Sequence, residues 1–236
     1  MAAAKNIRDP RLDLMAGEFD LARFKQASAI ADVLAAEDRP ELRAAALQVK
    51  GLALAQLGKV QEAIPVLSEA VAIDPKLWRA WSALGAEYDT GKQFDRSAEA
   101  YERAIVESAE APSALNNRGY SRLIQGKIDD AIVDFVRALE KAPGSQVIRT
   151  NLRVALAARG DYARATASGM GDDKATLLNN AGFGAVLRGD YPEASRLFDE
   201  AQKVRGVFYD RASFNRRLAE DLAARHPSLE HSDELR

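Results

Sequence analysis

Three glycines, Gly51, Gly85 and Gly119, stand 34 residues apart, and around the second the chain reads Trp81-x-x-Leu84-Gly85-x-x-Tyr88. Thirty-four residues is the period of a two-helix repeat that cannot bury its apolar face alone and must stack on its neighbours. Other columns keep the same step. Twelve residues after each glycine comes a small residue (Ala63, Ser97, Ala131), and nineteen after comes alanine (Ala70, Ala104, Ala138). Sixteen after comes a large side chain (Leu67, Tyr101, Phe135), and four before stand Leu47, Trp81 and Leu115. Small residues let antiparallel helices approach closely, and the large ones fill the space between them. Pro75 and Pro143, each 24 residues after a glycine, end the second helix of their repeats.

The register continues with departures. In the next repeat Leu152-Arg153 replaces Leu-Gly, while Ala157, Gly160, Tyr162 and Ala165 keep step. Gly182 follows Arg153 by only 29 residues, and Gly189, Tyr191, Ala194, Phe198 and Ala201 resume the pattern. The five missing residues fall in a second helix expected over Tyr162 to Ala167, which Ser168-Gly169-Met170-Gly171-Asp172-Asp173 terminates. Upstream, residues 10 to 40 read as a degenerate helical pair, with Phe24, Ile30, Val33 and Leu34 apolar and Pro40 as its stop. Downstream, Asp210 to Arg225 reads as a capping helix with a polar outer face of Arg211, Arg216, Arg217, Glu220 and Asp221, as stacked repeats need for solubility. The expectation is one all-α domain over residues 10–225, with repeats at about 10–43, 44–77, 78–111, 112–145, 146–174 and 175–208 and a cap at 209–225. A flexible stretch at 1–9 precedes it and a polar tail at 226–236 follows.

These columns resemble the tetratricopeptide repeat (TPR), and the resemblance implies a right-handed α-solenoid of antiparallel helix pairs. In stacked pairs the first helices line a concave face. Their exposed positions lie two and three residues before the glycine and one after it. Two before stand Val49, Ala83, Asn117, Asn151 and Asn180; three before stand Gln48, Ser82, Asn116, Thr150 and Asn179; one after stand Leu52, Ala86, Tyr120, Val154 and Phe183. Asparagine has no helix-propensity reason to recur. Its amide both donates and accepts, which suits the backbone of an extended peptide, and Tyr120 and Phe183 supply apolar anchor area beside it. The candidate partner-binding residues are therefore Gln48, Arg79, Asn116, Asn117, Tyr120, Thr150, Asn151, Asn179, Asn180 and Phe183. The competing reading is that the asparagines bond across repeats and hold the stack. Family members that clamp a chaperone's C-terminal carboxylate use lysines and an arginine on these helices; among the corresponding positions only Arg79 is basic.

Other functions find little footing. The net charge of −2 and the absence of a basic stripe leave no footprint for nucleic acid. No run of 18 apolar residues exists to span a membrane. With no cysteine there is no thiolate zinc site, and the redox compartment is not indicated. His226 and His231 lie in the polar tail, where nothing rigid would hold them as ligand or base. Asp129-Asp130 open a helix, where carboxylates favour the positive end. Gly182-Phe183-Gly184 has Leu187 where a dinucleotide loop needs its third glycine, and no strand precedes it. A non-catalytic protein with no metal and no cofactor is expected.

A narrower resemblance is carried by Leu115-Asn116-Asn117-Arg118-Gly119, by residues 147–156 (Val-Ile-Arg-Thr-Asn-Leu-Arg-Val-Ala-Leu), by Leu177-Leu178-Asn179-Asn180-Ala181-Gly182 with Arg188-Gly189-Asp190-Tyr191, and by Phe208-Tyr209-Asp210-Arg211-Ala212. Over roughly residues 44–220 the chain is similar to the TadD group of bacterial Tad (Flp) pilus assembly proteins. That resemblance implies an outer-membrane, pilotin-like lipoprotein that helps a secretin or another pilus component assemble. The group's lipobox cysteine has no counterpart here, and Met1-Ala2-Ala3-Ala4-Lys5 lacks the apolar core of a signal peptide. The compartment expected is the periplasm or outer membrane if an export segment was trimmed, and otherwise the cytoplasm. The alternative role is a generic cytoplasmic scaffold or a regulatory subunit of an enzyme complex.

Overall fold

The computed structural model describes residues 39–167, 173–205 and 210–225, together with Ala29, Asp32 and Val33. Eleven helices and no strand occur among them. They are α1 (Pro40–Gln56), α2 (Val60–Ile73), α3 (Trp78–Thr90), α4 (Phe94–Glu107), α5 (Pro112–Ile124), α6 (Ile128–Lys141), α7 (Gln146–Arg159), α8 (Tyr162–Ala165), α9 (Lys174–Arg188), α10 (Tyr191–Arg205) and α11 (Asp210–Arg225). The contacts divide into two lobes, Met1–Arg118 and Gly119–Arg236, with the division inside α5. In the first lobe α1 packs on α2, α3 on both, and α4 on α3; in the second, α7 packs on α6 and α9, α9 on α10, and α11 on α10 and α9. The expected pair at 10–43 lies mostly outside the described residues. The N-terminal nine residues and the tail carrying His226 and His231 lie wholly outside them.

The glycine columns are knob-and-hole contacts between the two helices of one repeat. A Cβ placed on Gly51 would lie 2.5 Å from Leu67, one on Gly85 2.8 Å from Tyr101, one on Gly119 2.8 Å from Phe135 and one on Gly182 2.6 Å from Phe198. The small-residue columns, Ala63, Ser97, Ala131 and Ala194 and then Ala70, Ala104, Ala138 and Ala201, are all fully buried. Each large side chain fills the hole its own glycine leaves, so stripping it out would open a cavity.

A second ladder joins the helices of each pair. Gly58, Lys92, Gly126, Gly160 and Gly189 all adopt left-handed backbone, with φ of 69°, 55°, 75°, 95° and 82°. At each, the next residue's N–H reaches back five residues to a helix carbonyl: Lys59 to Leu54, Gln93 to Tyr88, Lys127 to Arg122, Asp161 to Leu156 and Asp190 to Ala185. This Schellman geometry satisfies the last carbonyls of the first helix and turns the chain toward the second. The turn residues follow the repeat's own step, including its contraction between Gly160 and Gly189. Successive repeats are tied in turn through proline: Trp81 Nε1 donates to the Pro75 carbonyl at 2.9 Å, and Arg149 to that of Pro143 at 2.7 Å.

The fourth repeat departs where its spacing does. Its second helix, α8, has only four residues, two fewer than expected, and Asp161 caps its start by accepting from the Arg164 N–H. Arg153 takes the glycine's place, and its guanidinium donates to the Ala167 carbonyl at 3.0 Å. Beside the shortened α8 the first helices α7 and α9 pack directly together. A Cβ on Gly184 would lie 2.5 Å from both the Val154 carbonyl oxygen and the Ala157 Cβ. Gly182-Phe183-Gly184 is thus mid-helix, one glycine receiving its own repeat's aromatic and the other its neighbour's backbone.

The outer surface of α11 differs from the expected polar face. Arg211, Arg217, Glu220 and Asp221 are exposed, but Arg216 is half-buried and faces Asp199 of α10 at 3.5 Å, while Phe214 and Leu218 are exposed.

Candidate partner-binding site

In the first lobe, Gln48 is half-buried on α1 and Arg79 is exposed on α3, its guanidinium 4.3 Å from the Trp78 ring. Asn117 on α5 is exposed, yet its amide is engaged: Nδ2 donates to the buried Ser82 Oγ of the preceding repeat at 3.0 Å, and Oδ1 accepts from Asn116 at 3.3 Å. In the second lobe Asn179 is only 3% exposed, and its Oδ1 accepts from Asn215 of α11 at 3.0 Å. The expectation of an exposed Asn179 is therefore corrected. The next first helix covers it, and its carbonyl is used within the fold. The amide column is an inter-repeat staple at these two junctions. Thr150, Asn151 and Asn180 are half-buried on α7 and α9.

The aromatic column behaves otherwise. Tyr120 is 50% exposed and Phe183 is 41% exposed, both one residue after a packing glycine. One helical turn on, Ile124 and Leu187 are exposed as well. Residues four apart on a helix lie on one face, so α5 and α9 each present an aromatic–aliphatic pair. Sequence reasoning missed Ile124 and Leu187 as a pair because Gln56, Thr90 and Ala158 fill that column elsewhere. The i, i+4 spacing from each aromatic was the available signal.

Charges on these helices are committed internally. Arg118 pairs with Glu102 at 2.5 Å, Arg122 with the fully buried Asp134 at 2.7 Å, and Arg188 donates to the Arg159 carbonyl at 2.7 Å. The face thus offers apolar area with neutral polar groups beside it. A cavity of about 470 Å³ beside the shortened α8 is lined by Tyr162, Thr166, Lys174, Leu178, Arg196 and Glu200 among others. Its charges are also paired, Arg196 with Glu193 and Glu200 at 2.6 and 3.2 Å, and Lys174 with Glu200 at 3.7 Å. Burial and the 2.8 Å bond to Asp190 hold the Tyr162 phenol above its ordinary pKa, which keeps it a donor. In the first lobe Glu87 is buried on α3 with Oε2 lacking a hydrogen-bond partner, and desolvation raises its carboxyl above the usual range. Among the described residues no group of three acidic, histidine or cysteine side chains is placed to hold a metal, and no helix is long and apolar enough to cross a membrane.

A family model described as tetratricopeptide repeat matches residues 16–77 and 83–146, together more than half of the chain. No curated protein matches the sequence. Among solved structures, a tetratricopeptide repeat protein from Parabacteroides merdae is similar with a TM-score of 0.56 and 14% identity, over 84% of this chain and 78% of that one. YrrB, described as a TPR protein with an unusual peptide-binding site, gives 0.51 at 16% identity, over 82% of this chain and 97% of its own. PilW, a widely conserved type IV pilus biogenesis factor, gives 0.53 at 16% identity, over 81% and 96%. At such identities the likeness is one of fold.

Proposed function

Because the chain belongs to the tetratricopeptide repeat family, whose helix pairs are a scaffold for protein–protein interaction, we propose that it is a non-catalytic adaptor holding an extended segment of a protein partner on first helices of its second lobe. The observation that carries this reading is the pairing of Tyr120 with Ile124 and of Phe183 with Leu187, large apolar side chains left exposed in one register. Neither pair fills a glycine hole of its own repeat. Aromatic anchors contribute most to binding where a partner takes them out of water. The half-buried Thr150 and Asn180 lie in the register beside them.

The partner we propose is a secretin or another assembly component of a Tad-type pilus, and the place of work the periplasm or outer membrane. Supporting it is the similarity of residues 115–119, 147–156, 177–182 and 208–212 to the TadD group. The fold likeness to PilW adds that this architecture occurs in a pilus biogenesis factor. The test is photo-cross-linking in the native organism, with a benzophenone amino acid at position 183, at 120, or at the exposed Val133 of a second helix. The expected result is one pilus-assembly protein captured from 120 and 183 and not from 133, in the envelope fraction. Capture of a cytosolic enzyme, or equal capture from all three sites, contradicts the proposal.

A further inference from the structure

Asn215 donates to Asn179 as Asn117 donates to Ser82, so α11 stands in the register of a first helix, with Phe214 at the place of Asn116. The positions three before the glycine in two earlier repeats, Ser82 and Asn179, are buried beneath the following first helix. Phe214, by contrast, is 67% exposed and Leu218, four residues on, is 39% exposed. On the same face lie Arg211 and Asp221, both exposed and neither ion-paired among the described residues. Arg211, Phe214, Leu218 and Asp221 follow at steps of 3, 4 and 3, the spacing of a helix–helix seam.

This seam is self-complementary. The four positions are symmetric about residue 216. An antiparallel copy with its two-fold axis at that level sets each Phe214 against Leu218 of the second copy, and each Arg211 against Asp221 of the second copy. Isologous pairing of this kind needs residue i to meet j while j meets i, and both the apolar pair and the charge pair meet that condition. A parallel copy would instead oppose Arg211 to Arg211 and Asp221 to Asp221. We infer that α11 is a homotypic docking surface, pairing antiparallel with α11 of a second copy of this chain. One helix pair of this length buries less than a standard interface of roughly 1,600 Å², which places it with weak, reversible contacts.

Sedimentation equilibrium of the full chain from about 5 to 500 μM tests this against Arg211→Glu, Asp221→Arg and the double exchange. The inference expects reversible dimers in the wild type and at least about tenfold weaker association in either single variant, each of which creates two like-charge contacts. It expects recovery to within about threefold in the double variant, and association when the two single variants are mixed. The nine intervening residues keep 211 and 221 apart within one helix, so recovery reports contact between copies. Circular dichroism of each variant separates loss of association from loss of fold. A monomeric wild type, single variants that still dimerise, or a double variant that stays monomeric overturns the inference. So does dimerisation that appears only when residues 226–236 are removed, which would make that segment the occupant of the face.

Discussion

Single residues in this chain divide by what their neighbours demand of them. Glu87 is buried with a carboxylate oxygen unpartnered and its pKa raised from 4.5. Its folded form therefore binds a proton more tightly than its unfolded form, and stability falls as pH rises through the window above 4.5. Glu87→Gln removes that loss: the melting temperatures of variant and wild type should differ least near pH 4, with the gap moving in the variant's favour toward pH 7. A gap independent of pH would contradict the assignment. Lys92 holds a left-handed conformation, φ 55°, that glycine holds in the equivalent turns. The penalty for a side chain there is about 1–2 kcal/mol and glycine's own entropic cost about 0.5–1 kcal/mol, so Lys92→Gly should raise stability by up to about 1.5 kcal/mol in a urea titration. Asn117→Ala leaves the buried Ser82 hydroxyl without its partner and should cost about 1–2 kcal/mol. An unchanged urea midpoint would show that this amide is not a staple.

At the scale of helices, the glycine-to-aromatic step of sixteen residues was legible because packing inside one repeat is periodic, and Gly51–Leu67 through Gly182–Phe198 follow it. The 29-residue step located the short helix, but its meaning was not legible. Only the structure shows α7 and α9 closing together beside α8, with Gly184 meeting backbone. Gly184 carries no period of its own, since Ala53, Glu87, Ser121 and Ala155 fill that column. A Cβ there meets a carbonyl oxygen and a methyl group with no flexible end to yield, so Gly184→Ala should destabilise by about 1–3 kcal/mol. Gly144→Ala, where a Cβ meets nothing within 4 Å, should not. Equal effects would mean that α7 and α9 are not so close. The asparagines were legible as a column and not as a role, because an amide facing a groove and an amide facing the next repeat share one register. Asn179 shows the second outcome, buried beneath Asn215.

At the scale of the whole molecule, each lobe buries its periodic columns and leaves different residues outside. The first lobe shows a largely polar first-helix face, with Gln48, Arg79 and Asn117 at its candidate positions. The second exposes Tyr120, Ile124, Phe183 and Leu187, and separately the seam on α11. The fold class was readable from spacing because stacking constrains every repeat alike. The candidate face was readable only in part, because exposure depends on which neighbour covers a position, and Val154 is buried in the column where Tyr120 and Phe183 are not. In the proposed function the exposed aromatic column holds the partner. This is tested by titrating the cross-linked partner against the Tyr120→Ala, Phe183→Ala double variant, beside a Val133→Ala, Val136→Ala control on exposed second-helix positions. The expected result is at least about tenfold weaker binding for the aromatic variant, with its melting temperature and the control's affinity unchanged. Undiminished binding by the aromatic variant, or an equal loss in the control, would contradict it.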